Sequence, residues 1–516
     1  MNSPLEHILV VGGGTAGWLT AAVLAAGHNA SLESGIRVTL IESPDVNTIG
    51  VGEGTWPSMR DTLRKIGVSE RDFIRECSAS FKQGSKFVGW RNGDDEEFYY
   101  HPFSLPHGYL NANVVPYWQA EHPDISLASA FSSQEALCQL GKAPKQAQTP
   151  EFAAVANYAY HLDAGKFATF LQKHCTQKLG VRHVLDHVTQ VKPAANGDIA
   201  ALATKQSGDL PADLFIDCTG VASLLLGKHY EVPFVSQESV LFNNRAIAMQ
   251  VPYAADDDPI ASATIATARR AGWIWDIGLP SRRGIGYVYS SEHESDDQAE
   301  QTLRQYIDSD RRSGHAEDIQ ARRLRFNPGY RQHFWHRNCV AVGMSAGFIE
   351  PLEASAIALV ELSAAMIRDE LPVNRKIMDT VASRFNQRFT YRWERVIEFL
   401  KLHYVLSSRT DSAYWTDHRK QEGIPGRLAE LLELWEYQPP SRHDFTQTDE
   451  IFPSASYQYV LYGMGFKTLP RETSCQRDSF EIAQRYFEEN QRQVEQQIKG
   501  LTENRALIDH MVRTPG

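Results

Sequence analysis

The chain has 516 residues and a formal net charge of −11, with 42 % apolar and 22 % charged residues. That length supports a large core and more than one structural layer, and the composition is that of a soluble globular protein. The acidic balance argues against nucleic acid and anionic membrane as partners, and no apolar run approaches the ~20 residues of a membrane span. The opening MNSPLEHILVVGGG has neither a basic start nor an apolar signal segment, so a cytoplasmic location is expected. The six cysteines stand singly, without C-x-x-C or Cys/His clusters, so no metal is expected.

In chain order, HILVV predicts a strand, GWLTAAVLAAG a helix and RVTLIE a second strand, which together make a βαβ unit. The turn between the first two reads VVGGGTAGW and holds G-x-G-x-x-G as Gly12, Gly14 and Gly17, with Gly13, Thr15 and Ala16 between them. Such a turn lets the backbone approach a pyrophosphate at the positive end of a helix. Glu42 ends the second strand, where a carboxylate accepts hydrogen bonds from ribose hydroxyls.

Further strands are predicted at HVLDHVTQVK and DLFIDCTG. Residues 272–280 read GWIWDIGLP. As a strand, this places Trp273, Trp275 and Ile277 on one face. Two readings stay open from this stretch alone: a half-buried strand, or a wall dividing two parts of an active site. CVAVG predicts another strand, followed by the helix ASAIALVELSAAMIRDEL, and from about residue 354 the pattern is mostly helical.

The segment NCVAVGMSAGFIEPLEASAI again puts glycine and small residues between a strand and a helix, as flavoproteins of the glutathione-reductase type do beside the flavin ring. No second G-x-G-x-x-G follows a strand, which points to one dinucleotide, FAD, reduced elsewhere. The fold expected is α/β, a glutathione-reductase-like (Rossmann-type) FAD-binding fold. Residues 1–360 are expected to form the cofactor and reaction core with interleaved substrate-site strands, and the mainly helical residues 361–516 to complete the substrate pocket.

Together these segments resemble the flavin-dependent halogenases, the group that contains the tryptophan halogenases. Gly272, Trp273, Trp275 and Ile277 match G-W-x-W-x-I-P, with Gly278 in place of the proline. NTIGVGEGTWP (residues 47–57) resembles the flavin strap loop, SFKQGSKFVGW (residues 80–90) the lysine segment, and FIEPLEASAI the F-x-x-P-x-x-S-x-G segment. YYHPFSLPHGY (residues 99–109) resembles the segment that lines the substrate pocket. The likeness runs to about residue 400.

The resemblance implies that reduced FAD, O2 and halide yield hypohalous acid, which Lys82 holds as a hydrogen-bonded species or a haloamine. Glu353 then stabilises the cationic ring and takes its proton. Lys86 and Glu350 are rivals within the same motifs. It implies His101 and Phe103 at the substrate and Trp273 and Trp275 beside the tunnel, keeping substrate from the flavin. It also carries Glu53, Val188, Gly343, Met344 and Ile357 to the cofactor, and the backbone of Ser355 and Ala356 to the halide.

The family's E-S-T-G reads EASA here, with Ala354, Ser355 and Ala356 in the last three places. Ala356 narrows the backbone angles open to glycine and Ala354 removes a hydroxyl, so bromide is expected to outrun chloride. Residues 450–466, EIFPSASYQYVLYGMGF, show no clear match to the cluster that grips an amino-acid substrate, so bare indole is expected to outrun tryptophan. A separate NAD(P)H-dependent flavin reductase is the implied partner. An aromatic flavin monooxygenase and a non-catalytic FAD-binding protein are the alternatives.

Overall fold

The structure, a computed structural model, describes residues 4–46, 52–310, 319–469 and 474–513. The chain groups into two compact units that interleave in sequence. The first takes Met1–Ala79, Leu162–Gln237 and Asn327–Trp393, and the second takes Ser80–His161, Glu238–Phe326 and Glu394–Gly516. Segments 80–161 and 238–326 supply strands to a sheet of their own rather than to the dinucleotide-type sheet.

The first unit is built on a six-stranded sheet in the order Trp335–His336, Cys339–Ala341, Leu214–Asp217, His7–Val11, Arg37–Glu42, Arg182–Leu185. Every pairing is parallel except the Trp335–His336 edge. HILVV is a continuous apolar run because a parallel strand is buried on both faces, and Ile8 to Val11 are all buried. Helix Thr15–Gly27 is buried from Gly17 to Ala25, which is why it is apolar all round. It packs against helices Ala164–Gln177 and Ser355–Asp369.

The stretch HVLDHVTQVK is not one strand. It breaks into Arg182–Leu185 and Val188–Pro193, which belong to different sheets. The Asp186 carboxylate makes the break by accepting the backbone N–H groups of His187, Gln206 and Ser207 at 2.7, 2.9 and 2.7 Å.

The second unit carries a seven-stranded sheet in the order Arg322–Arg325, Arg245–Pro252, Arg282–Tyr289, Gly272–Gly278, Thr264–Arg269, Gly84–Val88, Phe98–Pro102. Helix Asp296–Ser309 covers one face through Ala299, Leu303 and Ile307, which pack with Ile274, Ile285 and Tyr287. Strand Gly272–Gly278 is therefore buried along all seven residues rather than half-buried. Past Phe348 the described residues carry helices and no named strand, as the sequence pattern predicts. No helix among the described residues is long and apolar enough to cross a membrane.

Candidate active site

A cavity of about 570 Å³ opens in the first unit, at the carboxyl ends of the parallel strands. Gly12, Gly13, Gly14, Thr15, Ala16, Glu42, Glu53, Val188, Gly343, Met344, Ser355, Ala356 and Ile357 all line it. Gly12 has φ +114°, and a Cβ there would overlap the Cys218 carbonyl. A Cβ on Gly13 would overlap the Glu42 carboxylate, so that carboxylate lies directly on the turn.

Gly17 departs from the expected role. It does not line the cavity; a Cβ there would overlap the Gly12 carbonyl, so it serves the close packing of helix on turn. Thr219 and Gly220 line the cavity and were not foreseen. The signal was the TG that follows strand Leu214–Asp217. Buried Asp217 shapes this turn, accepting from Thr219 N at 3.0 Å and from Leu225 N and Leu226 N at 2.9 Å.

The lining is acidic in a controlled way. Burial holds the Glu42 carboxyl above its ordinary value, opposed by His183, whose Nε2 lies 2.8 Å from Oε1. Burial alone pushes Glu53 up to about 7. Residues 47–51 of the expected strap loop lie outside the described residues; its remainder places Glu53 on the cavity and Trp56 against residue 353.

Helix Ser355–Asp369 starts at the cavity wall. Ala354, its N-cap, makes no side-chain cap hydrogen bond, and the first turn has no acidic residue. A helix start of this kind presents backbone N–H groups and positive potential to an anion. The two residues before the helix lie in the left-handed region, Glu353 at φ 64° and Ala354 at φ 54°. The Trp56 indole N–H donates to the Glu353 carbonyl at 2.7 Å and holds this turn. Ala356, by contrast, is helical, so alanine in place of glycine restricts nothing there. The angular argument expected at 356 belongs at 353 and 354. Glu353 is 7 % exposed and its rival Glu350 is buried as well.

In the second unit, strand Ser80–Lys82 pairs antiparallel with strand Ala159–Asp163, with Ser80 opposite His161 and Lys82 opposite Ala159. Alternation sorts this pair cleanly. Phe81 and Tyr160 turn one way, where their rings meet at 6.1 Å; Ser80, Lys82 and His161 turn the other. Lys82 is only 1 % exposed, with Nζ 5.3 Å from the centroid of the Phe103 ring. Lys86 is less buried and covers Phe98 at 4.3 Å, so burial separates the two lysines. His101 is buried in strand Phe98–Pro102, 5.7 Å from Phe399 and 6.3 Å from Tyr459. Helix Ser454–Gly463, within the stretch that lacked a motif match, packs on that strand.

Trp273 and Trp275 share a face and meet at 6.4 Å, and Trp90 extends the wall at 6.3 Å from Trp273. Trp275 lies over Gly286, its register partner, where a Cβ would overlap the indole. The Gly278 carbonyl, where the resemblance expects proline, accepts from Ser80 Oγ at 2.6 Å and ties the Trp strand to the Lys82 strand.

The tryptophan halogenase family model matches residues 7–478. The chain belongs to the tryptophan halogenase family. It is 32 % identical over 481 residues to tryptophan 6-halogenase SttH of Streptomyces toxytricini, 89 % of each chain. It is 32 % identical over 451 residues to tryptophan 7-halogenase RebH of Lentzea aerocolonigenes, covering 84 % of this chain and 82 % of that one. The crystal structure of tryptophan halogenase from Shewanella frigidimarina NCIMB 400 superposes with a TM-score of 0.96 at 52 % identity, over 99 % of this chain and 98 % of that one.

This protein is therefore an enzyme, a flavin-dependent halogenase, and the hydroxylase and non-catalytic alternatives are not favoured. The cavity suits FAD. The glycine turn brings the backbone of Gly12, Gly13 and Gly14 to the cavity wall, a helix start faces it, and a carboxylate stands at the end of the second strand.

Proposed function

We propose that this halogenase brominates, and more slowly chlorinates, an indole ring in the cytoplasm, using FAD reduced by a separate NAD(P)H-dependent flavin reductase. When bound and reduced, FAD supplies the oxidation of halide by O2 to hypohalous acid. The backbone of Gly12, Gly13, Gly14, Thr15 and Ala16 holds the pyrophosphate and Glu42 the ribose. Glu53, Val188, Gly343, Met344 and Ile357 enclose the rest. The N–H groups of Ser355 and Ala356 hold the halide at the helix start.

Lys82 Nζ binds the electrophilic halogen and orients it toward one ring carbon. Glu353 stabilises the ring cation and accepts its proton. His101 and Phe103 hold the flat ring, and Trp273 and Trp275 keep it from the cofactor. The observation that carries this reading is a lysine 1 % exposed, seated over an aromatic ring, in a chain of this family.

Two finer choices have physical support. Ala354 offers no hydroxyl to a halide at the helix start. Bromide sheds water and is oxidised more readily than chloride, so it tolerates the poorer site. Near His101, two hydroxyls of residues 450–466 are already engaged: Tyr459 donates to the Ser104 carbonyl at 3.1 Å and Tyr462 shares a bond with Thr468 at 2.9 Å. They are not spare partners for an amino acid's ammonium and carboxylate, which favours bare indole over tryptophan.

The test supplies FAD, a flavin reductase, NADH, and equal bromide and chloride, with indole and tryptophan in parallel, read by mass spectrometry. A brominated majority, faster on indole, is expected, and Lys82→Ala should keep FAD binding and lose directed product about 10²-fold or more. A chlorinated majority overturns the halide choice, faster tryptophan turnover the substrate choice, and a Lys82→Ala variant at the parental rate the role of the lysine. Ala354→Ser should raise the chlorinated share.

A further inference from the structure

His161 stands on the same sheet face as Lys82, directly opposite Ser80. It is fully buried. Its Nε2 shares a 2.8 Å hydrogen bond with Thr264 Oγ1, which fixes the ring, while its Nδ1 has no hydrogen-bond partner among the described residues. A buried imidazole nitrogen left without a partner is an exception in a folded protein and calls for a use. Burial, and then the charge of Lys82, hold this imidazole neutral, well below its ordinary value. The family hallmarks and the motifs of this sequence give His161 no task.

We propose that His161 is the proton partner of Lys82, a positioning residue whose free Nδ1 takes the ammonium proton before halogen transfer and returns it during transfer. The inference rests on the proposed role of Lys82 as halogen carrier and says how that role is performed.

The chemistry needs such a group. An ammonium has no lone pair, so Lys82 must lose a proton to become an amine, and two buried cations side by side are disfavoured. With the proton on Nδ1, the amine lone pair attacks the halogen of hypohalous acid. The N–X bond forms, the O–X bond breaks, and the hydroxide leaves with an amine proton as water. In the second step the imidazolium gives its proton to the haloamine nitrogen while that nitrogen keeps the N–X electron pair. The ring carbon receives the halogen as a cation equivalent, Lys82 is left as neutral amine, and Glu353 takes the ring proton. The sum is hypohalous acid plus arene giving haloarene and water, once Glu353 releases its proton to solvent and the lysine amine takes one back. Lys82 and His161 share one sheet face, and the flexible stem of lysine lets Nζ move between Nδ1 and the reagent.

The test compares three variants with the parent and with Lys82→Ala. His161→Gln keeps a group for Thr264 and lacks a basic Nδ1. His161→Asn keeps an acceptor near the Nδ1 position. Thr264→Val leaves the ring and frees its orientation. Each is checked for FAD binding, then turned over with bromide, reductase, NADH and O2 but no arene. It is rapidly desalted, and the oxidising equivalents retained on the protein are titrated with thionitrobenzoate. Directed bromination of indole is measured in parallel.

His161→Gln is expected to lose both retained oxidant and directed product about 10²-fold, with free hypobromous acid still released. His161→Asn, whose amide accepts a hydrogen bond but cannot take a proton, should fall as far as His161→Gln, and Thr264→Val should fall between parent and His161→Gln. If Lys82→Ala abolishes both readouts while His161→Gln matches the parent, the inference is overturned and the lysine reading stands. If Lys82→Ala itself retains directed product, the lysine reading fails first. Should His161→Gln fail to bind FAD, Thr264→Val decides: parental values for both readouts overturn the inference.

Discussion

Glu353 and Ala354 sit in a region of backbone space that residues with a Cβ seldom enter, at φ 64° and 54°. Two such residues in succession, just before a helix that starts at the cofactor cavity, mark backbone held against its own preference by its surroundings. The Trp56 indole bond to the Glu353 carbonyl supplies part of that hold. Glycine adopts the same angles without the Cβ penalty. Ala354→Gly should therefore raise stability by up to about 1 kcal/mol. A urea melt checks this, and a lower midpoint at unchanged slope would show that the alanine methyl packs usefully. The glutamate cannot be relieved in this way, because its carboxylate is the group proposed to act.

Among the elements, strand Gly272–Gly278 is set by its neighbours as much as by its own residues. Trp275 has room only because its partner in strand Arg282–Tyr289 is Gly286. Gly286→Ala should lose about 1–3 kcal/mol from overpacking, with the near-ultraviolet signal of the tryptophans altered. Unchanged stability and spectrum would mean that Trp275 has a second resting place.

Helix Ser355–Asp369 carries a second device. Glu361 is buried and accepts from Thr62 Oγ1 at 2.5 Å and Ser58 Oγ at 3.2 Å, which fastens helix Ser58–Lys65 behind the strap segment. Burial pushes its carboxyl up to about 8 from 4.5, against those two hydrogen bonds. Between these values the native state keeps a proton that the unfolded chain has lost. Stability is then fully present below about 4.5 and declines as pH rises toward about 8, by at most ~1.4 kcal/mol per unit. Glu361→Gln cannot ionise. It should match the parent near pH 4.5 and melt higher at pH 8, and equal melting at both would place the proton elsewhere.

Over the whole molecule, one unit carries the dinucleotide-type sheet and the cavity, and the other carries the seven-stranded mixed sheet with the tryptophan wall and, on a strand outside that sheet, Lys82. FAD at about a hundred times its Kd should add about 2.7 kcal/mol to the unit that binds it. Hydrogen exchange with and without FAD checks this. Protection should rise at residues 12–16 and along helix Ser355–Asp369, and Gly12→Ala should abolish the rise because its Cβ overlaps the Cys218 carbonyl. Protection gained elsewhere but not at these segments would move the cofactor out of this cavity.

The sequence alone determined what depends on short range. The βαβ start was legible because strand, glycine turn and helix are contiguous in the sequence, and the same holds for the Glu42 terminus. The strand identity of GWIWDIG followed from alternation, and the family from its motif spacing. Tertiary structure decided what depends on residues far apart in the chain. Thr219 and Gly220 reach the cavity because a parallel strand crosses the sheet beside the first one. The break at Asp186 depends on N–H groups some twenty residues away, which no window of periodicity contains. The burial that separates Lys82 from Lys86, and the His161 nitrogen on the same face that has no partner among the described residues, arise from strand pairing across residues 80 to 161. Local pattern encodes backbone geometry and one face of an element; which side chain is dehydrated, and by what, is a property of the elements packed against it.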